Sequence, residues 1–401
     1  MTTRGRTLAA LAASMIIFGR LGGMRELFMA GVAFALLLLI GFGLVWLRRG
    51  RISVRRSVSP ARTSVGGQVR VELIVEATGR IGVGPVLLSD HIAADLGPSP
   101  KLALPGGMRR RQRGVAYTLV PRMRGRYEIG PVEITHTDPF GAIRRRQKTS
   151  GTSKLLVVPS FEEINVLPTA TQRIGIVRHS PLVGHGDEFY ALRAYQEGDD
   201  LRKIHWPTSM RTGDLVIRQE ELLAEPRALI VLDTAASKHE GTGPGASLEA
   251  AVSAAASVGT LALRKRMRIE VVTTDGPLLN TRAPSESEYL EALAVVKVSR
   301  HTKITRALDR TYRPAAGRPS LVVVISPDLR RDEMRAVALR LRGPVAGAFV
   351  WIDASSFATK GGQRRAVPSV AAMGLPAVRL SKGLSFRHAW HTSVKDVALA
   401  R

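Results

Sequence analysis

Twenty-one consecutive residues, Leu27 to Leu47, carry no charge and read LFMAGVAFALLLLIGFGLVWL. At about 1.5 Å per residue, a helix of this length spans a hydrocarbon core of roughly 30 Å, so this segment predicts a membrane anchor. The run before it, Thr7 to Phe18, extends through Gly23 if Arg20 snorkels to the interface. Together they predict a transmembrane helical hairpin within residues 1–50, with helices at about 7–23 and 26–47 and a tight turn at Gly22 and Gly23. Arg4 and Arg6 ahead of an apolar stretch also fit a signal peptide, but no small-x-small cleavage site follows before the second run.

Flanking charge sets the orientation. Arg48, Arg49, Arg51, Arg55 and Arg56 crowd the exit of the second helix, and Arg4 and Arg6 precede the first, which places both termini in the cytoplasm. The chain has 59 Lys and Arg against 33 Asp and Glu, a net charge of +26. Residues 1–150 hold 24 basic and 8 acidic residues, so +16 of the surplus lies near the anchor, where it suits an anionic membrane surface. With no cysteine, the chain excludes disulfide scaffolds, thiol catalysis and thiolate metal sites.

Residues 51–165 read as a small antiparallel β-sandwich, immunoglobulin-like in plan. Val69 to Ala77 alternates apolar and polar residues, and similar runs recur at 84–88, 114–120, 127–134 and 155–158. Asp138-Pro139-Phe140-Gly141 carries the chemistry of a turn, with the Asp side chain capping its own loop. The arginine runs at 109–113, 122–126 and 144–148 fall on expected loops and strand ends, as a basic surface close to lipid.

Residues 166–225 lead into a core and hold a dense polar segment from Gly186 to Glu221. Its acids alternate with arginines, which favours internal pairing over metal binding. From 226 to 401, apolar runs at 227–233, 268–274, 320–326 and 345–352 alternate with helical patterns at 247–264, 285–296, 305–312 and 332–341. That alternation predicts a doubly wound α/β domain, which binds ligands beyond the carboxyl ends of its strands. Ser247 is placed as the cap of the first helix.

Asp187, Glu188, Phe189, Arg193, Tyr195, Gly198, Asp199, Asp200, Arg202, His205 and Trp206, with the DPFG turn and the hairpin anchor, resemble the bacterial "domain of unknown function 58" family. The resemblance implies a von Willebrand factor A-like fold for the α/β domain and association with MoxR-type AAA+ ATPases. It also implies a metal-ion-dependent adhesion site. Asp233, Ser237, Thr302 and Asp328 match its oxygen ligands for a weakly held Mg²⁺, with Ala235 in place of the middle Ser and Pro327 where the late acid belongs.

No P-loop, Gly-x-Ser-x-Gly elbow or His-Glu-x-x-His helix occurs, so no catalytic residues or cofactor are assigned and an enzyme is not expected. The expected function is a membrane-anchored, cytoplasm-facing adaptor that binds a protein partner, a MoxR-type ATPase or its client, through the α/β domain. The alternatives are a nucleic-acid-tethering membrane protein, disfavoured by 5% aromatic content, and an outward-facing metal-dependent adhesion protein.

Overall fold

The computed structural model describes residues 1–47, 52–77, 86–105, 112–138, 140–168, 190–196, 199–220, 226–279, 283–301, 303–306, 319–328, 331–340, 346–358 and 376–399. Contacts divide the chain into two units. One comprises Met1–Ser160 with Leu290–Val296, and the other Phe161–Tyr289 with Lys297–Arg401.

In the first unit, α1 (Thr3–Leu21) and α2 (Arg25–Leu47) are joined through Gly22, Gly23 and Met24, with Gly23 at φ +68°. The helices approach through glycine. A Cβ on Gly19 would lie 2.5 Å from the Phe28 nitrogen, and one on Gly31 would lie 2.8 Å from the Ile16 nitrogen. Among the described residues, one helix is long and apolar enough to cross a membrane, Arg25–Trp46. Two were expected, but α1 carries Arg4, Arg6 and Arg20 within its nineteen residues.

Ten strands follow: β1 (Ile52–Ser59), β2 (Arg62–Ser64), β3 (Val69–Ala77), β4 (Val86–Asp90), β5 (Lys101–Leu104), β6 (Gln112–Leu119), β7 (Gly125–Ile129), β8 (Val132–Thr137), β9 (Arg144–Lys148) and β10 (Ser153–Val158). They form sheets β1-β3-β6, β5-β4-β8-β9 and β2-β10-β7. The third is mixed, because β2 runs parallel to β10, so the arrangement is not purely antiparallel as expected. Alternation along β3 buries Val69, Val71, Leu73 and Val75 completely. Leu73 and Val75 pack with Leu88 and Ile134, while Val69 and Val71 pack with Ile129, Leu155 and Val157. The single strand expected over 127–134 is two strands. Gly130, at φ +112°, turns the backbone, and Pro131 lacks the N–H a continuous ladder needs.

Two arginines, Arg56 expected to flank the second helix and Arg124 expected at a basic surface, have buried side chains. The Arg56 guanidinium grips the fully buried Asp90 through Nε (3.1 Å) and Nη2 (2.6 Å), and its Nη1 donates to the Ile129 and Gly151 carbonyls. The Tyr117 hydroxyl donates to the same carboxylate at 2.6 Å, and burial together with that bond pushes its pKa well up. Arg124 donates to the Leu293 and Val296 carbonyls at 3.1 and 2.6 Å. Arg144–Lys148, expected on a loop or strand end, is an edge strand paired with β8.

The Asp138 turn meets the helices. Asp138 is buried, and its carboxylate accepts from the Phe140 and Ile143 nitrogens at 3.1 and 2.6 Å, the expected self-capping. Thr2 donates through its nitrogen and its hydroxyl to the Ala142 carbonyl, and Val45, Ala142 and Ile143 form a small apolar cluster with Leu8 and Leu38. A Cβ on Gly5 would lie 2.1 Å from the Ala142 oxygen, and one on Gly41 would lie 3.2 Å from Asp138 Oδ2.

The second unit begins at Phe161, ahead of the boundary at 165 expected from the strand pattern. Glu162 belongs with it because its carboxylate caps a helix near the C-terminus, accepting from the Phe386 and Arg387 nitrogens at 2.9 and 3.0 Å. β11 (Tyr190–Ala194) pairs antiparallel with β12 (Val216–Glu220), and α3 (Trp206–Thr212) lies between them in sequence. The α/β core follows as β13 (Arg227–Leu232), α4 (Ser247–Arg264), β14 (Arg268–Thr273), β15 (Gly276–Pro277), α5 (Glu286–Ala294, counted with the first unit from Leu290 on), β16 (Leu321–Ser326), α6 (Arg331–Arg340), β17 (Ala346–Ile352), β18 (Ala377–Leu380) and α7 (Phe386–Leu399).

These strands order as β15-β14-β13-β16-β17-β18, all parallel except the short edge strand β15. Leu229, Val231, Val322 and Val324 pack on Met334 and Val337 of α6, while α4 contacts β13, β14, β16 and β17 outside that cluster. Helices therefore cover both faces, as the unbroken apolar strands require. Of the helix expected at 305–312, residues 307–312 lie outside the described residues.

Candidate functional site at the strand ends

The strand order reverses between β13 and β16, the place where an open α/β sheet leaves a crevice beyond its carboxyl ends. Asp233 follows β13, Thr274 follows β14 and Ser326 closes β16, so topology alone converges these side chains. Asp233 Oδ1 accepts from Thr274 Oγ1 and from the Ala235 nitrogen, each at 3.1 Å. Its Oδ2 accepts from Ser326 Oγ and from Lys238 Nζ, each at 2.8 Å. Lys238 Nζ also donates to Glu333 Oε2 of α6 at 3.0 Å. The ammonium is thus shared by two carboxylates, with side-chain exposures of 9% for Lys238, 1% for Asp233 and 2% for Glu333. Burial opposes the Lys238 charge, but the facing carboxylates outweigh it and hold its pKa above the ordinary value.

His239 locks the adjoining loop. Its Nε2 donates to the Asp233 carbonyl at 2.8 Å, which leaves Nδ1 to accept from the Ser247 hydroxyl at 3.0 Å. Ser247 is the first residue of α4 rather than its cap, and its Oγ accepts from the Glu240 nitrogen. Burial depresses the His239 pKa. The Ala236 nitrogen donates to the Ser299 carbonyl and the Ser299 nitrogen to the Thr234 carbonyl, pinning the loop from its other side.

Of the four predicted metal ligands, the Asp233 carboxylate stands at this convergence, fixed by the hydrogen bonds above. Ser237 is exposed, and Thr302 lies outside the described residues. Asp328 meets Ser326 through its backbone, its nitrogen donating to Ser326 Oγ at 3.3 Å. Sequence reasoning missed Lys238, Thr274 and Glu333. A lysine next to a candidate metal loop was the available signal for the first, while nothing near Glu333 pointed to it.

In the polar segment, Asp187, Glu188, Phe189 and Gly198 lie outside the described residues, and Arg193 and Tyr195 fall on and just after β11. Asp199 accepts from the Gln196 nitrogen and Asp200 from the Arg202 nitrogen, so both acids cap turns. His205 Nδ1 meets Thr208 Oγ1 at 2.8 Å, as expected of a packed histidine, and Arg202 is exposed. Trp206 and Met210, one helical turn apart on α3, are 57% and 82% exposed, with Leu201 and Leu215 exposed nearby.

Residues 191–344 match the family described as "Protein of unknown function DUF58". The match takes in both the strand-end crevice and the exposed face of α3. Uncharacterized proteins of Mycobacterium tuberculosis and Mycobacterium bovis are each 28% identical over 188 residues, covering 46% of this chain and 56% of theirs. The chain therefore spans about half the length of the curated relatives it matches. Among solved structures, the CARDB domain of a Pyrococcus furiosus protein is 16% identical with a TM-score of 0.21, covering 26% of this chain and 91% of that one. Cwp6 from Clostridium difficile is 9% identical with a TM-score of 0.20, covering 86% of this chain and 40% of that one. At such TM-scores neither carries an argument about fold or function.

Proposed function

We propose that the chain is a membrane-anchored adaptor, held by its apolar helix α2 with the residues that follow it in the cytoplasm, whose second unit docks a protein partner. The observation that carries this reading is the exposed apolar face of Trp206 and Met210 within the family-matched segment. Large apolar side chains grouped on one short helix are costly to leave in water, and tryptophan is a frequent energetic anchor of protein interfaces. The sheet order, with its antiparallel edge strand β15, is consistent with a von Willebrand A-like domain, and the family resemblance names a MoxR-type AAA+ ATPase or its client as the partner to try.

The test is co-purification of the full chain from mild detergent with a MoxR-type ATPase of the same organism. Enrichment over an untagged control is expected, falling about tenfold or more in Trp206→Ala. No enrichment, or enrichment indifferent to that substitution, would sink the proposal.

A further inference from the structure

The metal site that the family resemblance implies does not fit the residues around Asp233. A divalent ion there would need carboxylate and hydroxyl oxygens turned toward it at about 2.0–2.1 Å in octahedral array. Both oxygens of Asp233 instead accept protein hydrogen bonds, Oδ1 from Thr274 and the Ala235 nitrogen and Oδ2 from Ser326 and Lys238. Ala235 offers no hydroxyl, Ser237 is exposed, and Pro327 stands where a second acid would serve.

We infer that the Lys238 ammonium takes the place of the divalent cation, so that the strand-end crevice of this α/β domain is built to work without metal. Three observations carry the inference. The ammonium is 2.8 Å from Oδ2 of Asp233, one of the two oxygens with which that carboxylate would hold an ion. It is buried, so a divalent ion on Asp233 would meet an unscreened like charge a few ångströms away. A second buried carboxylate, Glu333, reaches the same ammonium from α6 at 3.0 Å. Two anions around one cation supply the charge balance that a bound metal would otherwise supply. The inference goes beyond the docking role, since it holds whichever partner meets α3.

The full chain, purified in detergent and stripped with chelator, should bind no Mn²⁺ at the crevice in a spin-resonance titration, and its melting temperature should be the same in chelator and in about 10 mM Mg²⁺. One Mn²⁺ bound by the wild-type chain and lost in Asp233→Asn overturns the inference. Mn²⁺ uptake unchanged in Asp233→Asn lies elsewhere and leaves the crevice free of metal, as inferred.

A charge cycle tests the same point without metal. Lys238→Met should lower the melting temperature by several degrees. Lys238→Met combined with Glu333→Gln, which returns the cluster to its wild-type net charge of about −1, should recover at least about half of that loss. A double variant no more stable than Lys238→Met overturns the inference. If Lys238→Met does not fold, the wild-type Mn²⁺ titration decides alone.

Discussion

Gly259 lies in the middle of α4 because Tyr289 occupies the space a side chain would need. An added Cβ would fall 2.2 Å from the Tyr289 ring, and the phenol is fixed there by donation to the Ala255 carbonyl at 2.5 Å. Tyr289 is fully buried and cannot swing aside, so Gly259→Ala should destabilise the α/β unit by about 1–3 kcal/mol despite its better helix propensity, read as a lower denaturation midpoint. His239 makes a prediction about pH. Its folded pKa is depressed below the ordinary 6.5, so in acid the unfolded chain takes up a proton that the fold resists. Above 6.5 both states are neutral and the residue contributes no pH dependence. Stability then falls as pH drops through 6.5 toward the folded pKa. Melting curves from pH 7.5 to 5.5 should show that slope in the wild type and a shallower one in His239→Gln. Lys238 marks the limit of reading such a site from sequence. Lysines are mostly exposed, and the carboxylate that completes its burial, Glu333, lies 95 positions away.

Among elements, α4 and the strands β13, β14, β16 and β17 were legible to within a residue or so, because long apolar or Ala-rich periods bounded by turn residues leave little choice. The edge strand β9 reads Arg-Arg-Arg-Gln-Lys and has no apolar period at all; its pairing with β8 makes it a strand. β18 and α7 were missed for a related reason, since α7 owes its start to Glu162, far back in the chain. The docking of α1 and α2 on the Asp138 turn was equally hidden, because a DPFG sequence has the chemistry of a corner whether or not something rests on it. Gly5→Leu should break that docking. With no native cysteine, a Thr2→Cys/Ala142→Cys pair reports it directly. Crosslinking is expected in the otherwise wild-type chain and should fall severalfold when Gly5→Leu is added.

For the whole molecule, the charge surplus needs redistribution. Arg56, counted among the charges that flank the second helix, and Arg124, counted toward a basic face at the membrane, are consumed by Asp90 and by backbone carbonyls. The first unit therefore presents less positive charge to lipid than its sequence suggests. The proposed orientation rests on the remaining arginines after α2, Arg48, Arg49, Arg51 and Arg55, and a reporter fused after Arg401 should register as cytoplasmic. An external signal would reverse the proposed topology. The contact of Gly41 with Asp138 has a mechanical side. α2 meets the turn six residues short of its end, and the Ala142 cluster holds it there. In the proposed anchor, a tilt of α2 passes through that joint to the strands packed against it.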